Sequence, residues 1–138
     1  MELKNIPIPP SVNHMYRTLP NYRRCKTKYL LDFEKDFELW VLLNKEAINT
    51  ARKEIKDSKY LKLDLRFYLK RPTLFCLNNT VKKMDISNRI KAVEDAVSNL
   101  LGIDDSLFFQ VSASKEVADK VGVTATITPL ERETIGLK

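Results

Sequence analysis

Between Met84 and Ser106 the chain reads MDISNRIKAVEDAVSNLLGIDDS, and this stretch holds the side chains best suited to chemistry. Asp85 stands alone just before a segment of helical character, and Asp104 and Asp105 stand side by side just after it. Carboxylates brought close together repel one another, so a cluster of them usually needs a cation to hold it. Mg²⁺ favours such oxygen ligands and keeps several of its waters. Held this way, it polarises a phosphoryl oxygen and lowers the pKa of a bound water. The rest of the chain is basic, with 24 Lys and Arg against 18 Asp and Glu and a net charge of +6. A basic surface attracts polyanions, because each phosphate neutralised releases a counterion. An acidic centre on a basic surface is the pattern of an enzyme that handles phosphodiesters, although the charge alone also fits a plain soluble surface.

The element that must position these groups is a helix expected from about Ser87 to Leu101. Its buried stripe is Ile90, Val93, Ala96, Val97, Leu100 and Leu101, and Gly102 is its C-terminal stop. At 100° per residue, Asn88, Lys91 and Asp95 fall together opposite that stripe, in line with Asp85. A helix of about fifteen residues is about 22 Å long. Asp85 and Asp105 therefore lie at opposite ends unless the chain doubles back or a second subunit closes the site. Each piece also has a local explanation. Asp85 or Ser87 suits an N-cap, Lys91 and Asp95 suit a surface ion pair of small energetic consequence, and Asp104-Asp105 suits a turn. Taken one at a time, these local readings are the simpler ones.

Around this helix the pattern predicts β-α-β-α-β-β. Leu3 to Ile8 is a short strand that Pro7, Pro9 and Pro10 confine to an edge or end. Asp32 to Lys56 is one core helix with the stripe Phe33, Phe37, Trp40, Val41, Asn44, Ala47, Ile48, Ala51 and Ile55. Trp40 belongs to that core. Tyr60 to Lys70 alternates, with Leu61, Leu63, Leu65, Phe67 and Leu69 facing inward. Phe108–Val117 and Val121–Pro129 are two further strands, joined at Asp119-Lys120 with the spacing of a hairpin. The tail beyond Pro129 is expected to be loose. The fold class is α/β (α+β), a single domain over residues 1–138 with one mixed sheet and two main helices on one face.

Ser11 to Lys28 is polar and has no clear element. It interleaves Arg17, Arg23, Arg24, Lys26 and Lys28 with Tyr16, Tyr22 and Tyr29. Basic residues mixed with aromatics suit a nucleic-acid backbone and exposed bases. The alternative is a solvated loop whose tyrosines cover the edge of the core. Lys82 and Lys83 lead into Asp85 and extend the basic surface.

Composition excludes several classes. Hydrophobic residues make up 43% and charged residues 30%, which is globular rather than disordered. Two widely spaced cysteines and one histidine argue against zinc, and Cys25 and Cys76 fit reduced thiols. No stretch is long and apolar enough to span a membrane, and MELKNIPIPP lacks the apolar core of a signal peptide. A cytoplasmic location is expected.

IPIPPSVNHMYR near the N-terminus, DISNRIKAVEDAV in the middle and GIDDS after it together resemble the RusA-type Holliday-junction resolvases. The resemblance spans nearly the whole chain. It implies a small homodimeric, Mg²⁺-dependent endonuclease of the kind found in bacteria, phages and prophages, with Mn²⁺ able to replace Mg²⁺ and branched four-way DNA as substrate. It places the first catalytic acid on Asp85, the functional lysine on Lys91, a further acid on Asp95 and the last on Asp105, with Asp104 beside it. Asp85, Asp105 and Asp104 are then the metal ligands. Asn13, His14, Tyr16, Arg17, Arg23, Arg24, Lys26, Lys82, Lys83 and Asn88 form the DNA-binding set. His14 suits stabilisation of its loop better than a role as base. The family usually has a second acid two residues after the first, where this chain has Ser87. Three outcomes stand open: Asp95 or Asp104 supplies the missing charge, Asp85 and Asp105 hold the metal with more waters, or catalysis is lost and DNA binding persists.

Overall fold

A computed structural model describes residues 1–137. Six strands and four helices follow in the order β1 (Glu2–Ile6), β2 (Tyr16–Thr18), β3 (Arg24–Lys26), α1 (Lys28–Leu43), α2 (Lys45–Ile55), β4 (Leu61–Leu69), α3 (Arg71–Leu74), α4 (Ser87–Leu101), β5 (Phe108–Val117) and β6 (Gly122–Pro129). Short 3₁₀ turns at Val12–His14 and Asp105–Leu107 complete them. A four-stranded mixed sheet in the order β1-β6-β4-β5 forms the body, and β2 and β3 form a separate small hairpin.

The alternation in β4 decides which face is covered. Leu61, Leu63, Leu65 and Phe67 are fully buried, and Val123, Ala125 and Ile127 of β6 sit beside them. Burying each of these Leu, Phe, Val and Ile side chains contributes about 1.5–3 kcal/mol. Ile48, Ala51, Ile55, Val93 and Val97 from the helices complete this core, so the helices share one face of the sheet as expected. Trp40 is buried with them, and its Nε1 donates to the Lys4 carbonyl at 2.8 Å, tying α1 to β1. The opposite face carries Lys62, Asp64 and Arg66 of β4 beside Ser112, Ser114, Thr124 and Thr126.

Four expectations are corrected. The helix expected over Asp32–Lys56 is two helices, because Asn44 leaves helical geometry (φ −123°, ψ 23°) and its side-chain amide donates to the Trp40 carbonyl at 2.7 Å. Trp40, Ile48, Ala51 and Ile55 of the expected stripe are buried, but Ala47 is exposed. The last two strands do not form a hairpin. β5 runs parallel to β4 on one side, and β6 runs antiparallel to it on the other. The link crosses the end of β4, where the Ala118 amide donates to the Leu69 carbonyl at 2.9 Å. Four residues of extended chain reach about 13 Å, enough to pass over one intervening strand at about 4.8 Å spacing on either side. The third correction is the polar segment Ser11–Lys28, which contains the β2–β3 hairpin. The fourth is the tail, which is hydrogen-bonded into turns: Leu130 donates to the Tyr60 carbonyl and Leu137 to that of Arg132.

The parallel pair β4 and β5 explains the position of α4. Parallel neighbours need a long crossover, usually helical, and α4 is that crossover. Its N-terminus therefore lies toward the C-terminal end of β4, and its C-terminus leads back to the start of β5. Gly102 ends it with φ 68°, the left-handed conformation that glycine adopts without a steric penalty. Arg52 of α2 donates from Nε to the Leu100 carbonyl at 2.8 Å, satisfying one of the last carbonyls of α4.

Candidate active site

The N-terminal end of α4 is organised by Asp85. Its Oδ1 accepts the Ser87 amide at 2.9 Å and the Ser87 hydroxyl at 2.5 Å, and its Oδ2 receives the Asn88 side-chain amide at 3.4 Å. Arg89 donates from Nη1 to the Asp85 carbonyl at 2.9 Å. Neither Asp85 nor Ser87 is the N-cap, which is Ile86 with no side-chain capping bond; one Asp85 oxygen closes a turn onto Ser87, while the other carries one long contact. The Ser87 hydroxyl, then its amide, hold the Asp85 carboxyl below the usual carboxylate range, with Lys115 and Arg89 adding smaller electrostatic help. Ser87 therefore supports the acid beside it by donation.

A carboxyl held low in the folded state contributes stability above its unfolded pKa of about 3.9, and that contribution is lost as pH falls through the folded value. Ser87→Ala removes the hydroxyl donor. The Asp85 pKa is expected to rise toward that ordinary value, moving the loss of its charge to higher pH. A ¹³C carboxyl NMR titration reads the shift, and an unchanged Asp85 pKa would show that the hydroxyl does not hold the charge.

The other end of α4 closes back on its middle. Lys91 donates from Nζ to Asp105 Oδ2 at 2.6 Å and pairs with Asp95 Oδ1 at 2.9 Å. The short connection through Ile103 and the 3₁₀ turn at Asp105–Leu107 folds back along the helix, bringing Asp105 to a lysine fourteen positions earlier in the chain. Asp105 first, then Asp95, raise the Lys91 pKa well above the usual lysine range, so its charge is fixed at any working pH. Asp104 accepts the Ser106 amide at 2.8 Å and is held low by that bond first, then by the Ser106 hydroxyl. Asp95, Asp104 and Asp105 line one polar depression of about 340 Å³ with Ser98, Asn99 and Ile103.

Among the described residues, no three Asp, Glu, His or Cys side chains converge in a way that could hold a metal ion by themselves. The donors still fit Mg²⁺ in the form it usually takes, with one or two carboxylates, several waters and phosphate oxygens from the substrate. The acids are hard oxygen ligands at the surface, and Asp85 and Asp104 are held in their charged forms.

The N-terminal motif reaches the same helix. Ser11 is buried and caps the 3₁₀ turn that carries Asn13 and His14, and this turn packs against α4. Asn13 and His14 are exposed, and the His14 ring lies 6.2 Å from that of Tyr29. Thr27 fixes the hairpin's base: its amide donates to the Met15 carbonyl at 2.9 Å, its hydroxyl donates to the His14–Met15 turn, and its oxygen caps α1. The hairpin projects Tyr16, Arg17, Arg23, Arg24 and Lys26 to solvent. Arg24 lies over the Tyr16 ring at 4.8 Å, Arg17 donates from Nε to Cys25 Sγ at 3.2 Å, and Lys26 pairs with Glu34 at 2.7 Å. Tyr16, Tyr22 and Tyr29 are all exposed, so they do not cover the core edge. Lys82 and Lys83 are exposed in the segment before Asp85, with Lys82 donating to the Pro72 carbonyl at 2.6 Å.

The structure thus joins Lys91, Asp95 and Asp105 in one contact network and gathers Asp85, Ser87 and Asn88 in another. Two residues near these networks escaped the sequence reading. Glu94 stands close enough to Lys91, Asp95 and Asp105 to feel their charges, and burial pushes its carboxyl up. Lys115 of β5 donates from Nζ to the Met84 carbonyl at 2.9 Å, beside Asp85. Its signal in the sequence was a lysine at the inward parity of a strand.

No curated protein matches the chain. The family model of the endodeoxyribonuclease RusA matches residues 7–128, from the N-terminal motif through α4 and the acid pair to the end of the sheet, and the chain belongs to that family of DNA-junction nucleases.

Proposed function

We propose that this chain is a Mg²⁺-dependent endonuclease that resolves four-way DNA junctions by paired nicks, acting as a homodimer in the cytoplasm. The observation that carries the reading is the Lys91–Asp105 contact, which ties the acid pair after α4 to the polar face of that helix. Asp85, Asp105 and Asp104 would hold the ion. When bound, it supplies Lewis-acid polarisation of the phosphate and a water of lowered pKa. Lys91 keeps its positive charge and orients Asp105, and in the transition state it stands ready to offset charge developing on the phosphate. Two nicks in strands of like polarity need two centres related by a two-fold axis, and one chain carries one such set of acids. Asn13, His14, Asn88, the basic hairpin, Lys82 and Lys83 then hold the junction arms, mainly through phosphates.

Tyr22 is 90% exposed at the tip of the hairpin, with φ 63°. Tyr22→Ala is expected to weaken four-way junction binding about tenfold, the scale of one lost base-stacking contact, and to leave the melting temperature within a degree or two. Fluorescence anisotropy with labelled junction checks this, and equal affinity would remove Tyr22 from the DNA surface.

A second reading, junction binding without cleavage, is favoured by Ser87 standing where the family usually has an acid. Incubation of the purified protein with synthetic four-way junction, flap and linear duplex in Mg²⁺ or Mn²⁺ separates the two. Symmetric nicks confined to the junction support resolution. Binding without nicks in either metal supports the second reading, and cleavage of all three substrates alike indicates a general nuclease.

A further inference from the structure

β5 carries one residue that its surroundings do not explain. The strand pairs with β4 in parallel register, so Phe108, Val111, Ala113, Lys115 and Val117 stand opposite Leu61, Leu63, Leu65, Phe67 and Leu69. Those five β4 side chains are buried and apolar, and four of their five β5 partners are apolar too. Lys115 breaks the series opposite Phe67, one of the largest fully buried side chains. A lysine at an apolar parity is a local inconsistency of the kind that marks functional positions. The helix-side strip of β5 is only partly covered, with Val111 and Val117 about half exposed, so the ammonium reaches solvent along this strip.

The lysine is also fixed in place. Its Nζ donates to the Met84 carbonyl at 2.9 Å, across thirty-one positions of sequence, and so lies at the peptide immediately before Asp85. Its charge is felt by the Asp85 carboxylate. Among the described residues Lys115 forms no ion pair. An ammonium has three donors, and one backbone carbonyl uses one of them. Lys91 contrasts with it, since that ammonium is held by Asp95 and by Asp105.

We propose that Lys115 is a substrate-contacting residue of the nuclease centre, its ammonium taking a non-bridging phosphate oxygen of DNA bound beside Asp85. The two lysines then divide the work. Lys91 orders the acids, and Lys115 binds the phosphodiester. The Met84 carbonyl fixes the direction of the ammonium without neutralising it, which is what a phosphate-binding cation requires.

This inference rests on the junction-nuclease reading, and its test does not depend on cleavage. Junction affinity is measured in EDTA over a series of salt concentrations for the wild-type protein, Lys115→Met, Lys115→Arg and, as a charge-loss control on α2, Lys45→Gln. Each phosphate contact contributes about 0.9 to the slope of log affinity against log salt. Lys115→Met is expected to lower that slope by about 0.9 per protomer, while Lys115→Arg and Lys45→Gln keep the wild-type value. Methionine suits the apolar parity of the strand, so its thermal melt should match the wild type, and Lys115→Gln, with the same expected drop in slope, takes its place if it does not fold. A slope unchanged in Lys115→Met, or lowered equally in Lys45→Gln, overturns the assignment to Lys115. Wild-type protein that binds no junction DNA overturns it together with the reading beneath it. Wild-type protein that binds but does not cleave, with the slope change present, removes the nuclease reading and keeps Lys115 as a phosphate contact.

Discussion

Asp105→Asn is expected to reduce cleavage of a four-way junction by about a thousandfold while junction binding stays intact or tightens. Asparagine keeps the size of the side chain and removes its charge. On the proposed mechanism the variant loses an anionic ligand for Mg²⁺, and with it transition-state stabilisation on the scale usually seen when a preorganised charge is removed. Binding should survive because the proposed DNA contacts lie mainly on the basic surface, and one acid fewer lessens repulsion from the phosphates. Asp105 is partly exposed at the first position of a short 3₁₀ turn, and asparagine can still accept from Lys91, so the variant is expected to fold. Asp85→Asn should behave in the same way. Single-turnover cleavage on a denaturing gel, with binding measured in EDTA, tests both. Wild-type rates in either variant remove that residue from the site.

Lys91→Met is expected to separate metal binding from catalysis. The ammonium sits 2.6 Å from Asp105 Oδ2 and 2.9 Å from Asp95 Oδ1. Without it, two carboxylates face each other with no cation between them, and a divalent ion is the natural replacement. Mn²⁺ affinity, read by isothermal calorimetry or electron paramagnetic resonance, should match or exceed the wild type. Cleavage should nevertheless fall about a hundredfold, because the fixed positive charge that orients Asp105, and that in the proposed mechanism offsets charge on the phosphate, is gone. Equal loss of metal binding and cleavage would mean that Lys91 only maintains the local structure. Equal retention of both would make its pairing with Asp95 and Asp105 incidental.

Much of this is legible in the sequence through local physics. The strict alternation from Leu61 to Leu69 predicted a strand with one buried face, and α4 begins and ends at Ser87 and Leu101 as its stripe and Gly102 required. The expectations that failed were those decided by tertiary partners. Nothing local distinguishes the Ala118–Val121 link from a hairpin turn, because what separates β5 from β6 is β4, fifty residues earlier in the chain. The break at Asn44 interrupts an apolar pattern that continues on both sides. The functional site divides along the same line. Residue types and spacing put Asn88, Lys91 and Asp95 on one face of a helix, but a helix about 22 Å long could not say how Asp105 returns to it. The fold-back after Gly102 supplies that contact. Ser87 looked like a missing ligand in the sequence, and its hydroxyl and amide instead steady Asp85. Lys115 shares the parity of Val111 and Ala113 in the sequence, but the buried residue it stands opposite, Phe67 of β4, is identified only once the strands are paired.

Anomalous diffraction from crystals of the protein bound to a four-way junction and soaked in Mn²⁺ tests the central claim most directly. The expected result is a peak at each centre within coordination distance of Asp85 and Asp105 carboxylate oxygens and of a DNA phosphate. A peak that touches the phosphate but neither carboxylate, or one bound at Asp104 and Asp95 without Asp85, would contradict a nuclease centre built from the two ends of α4.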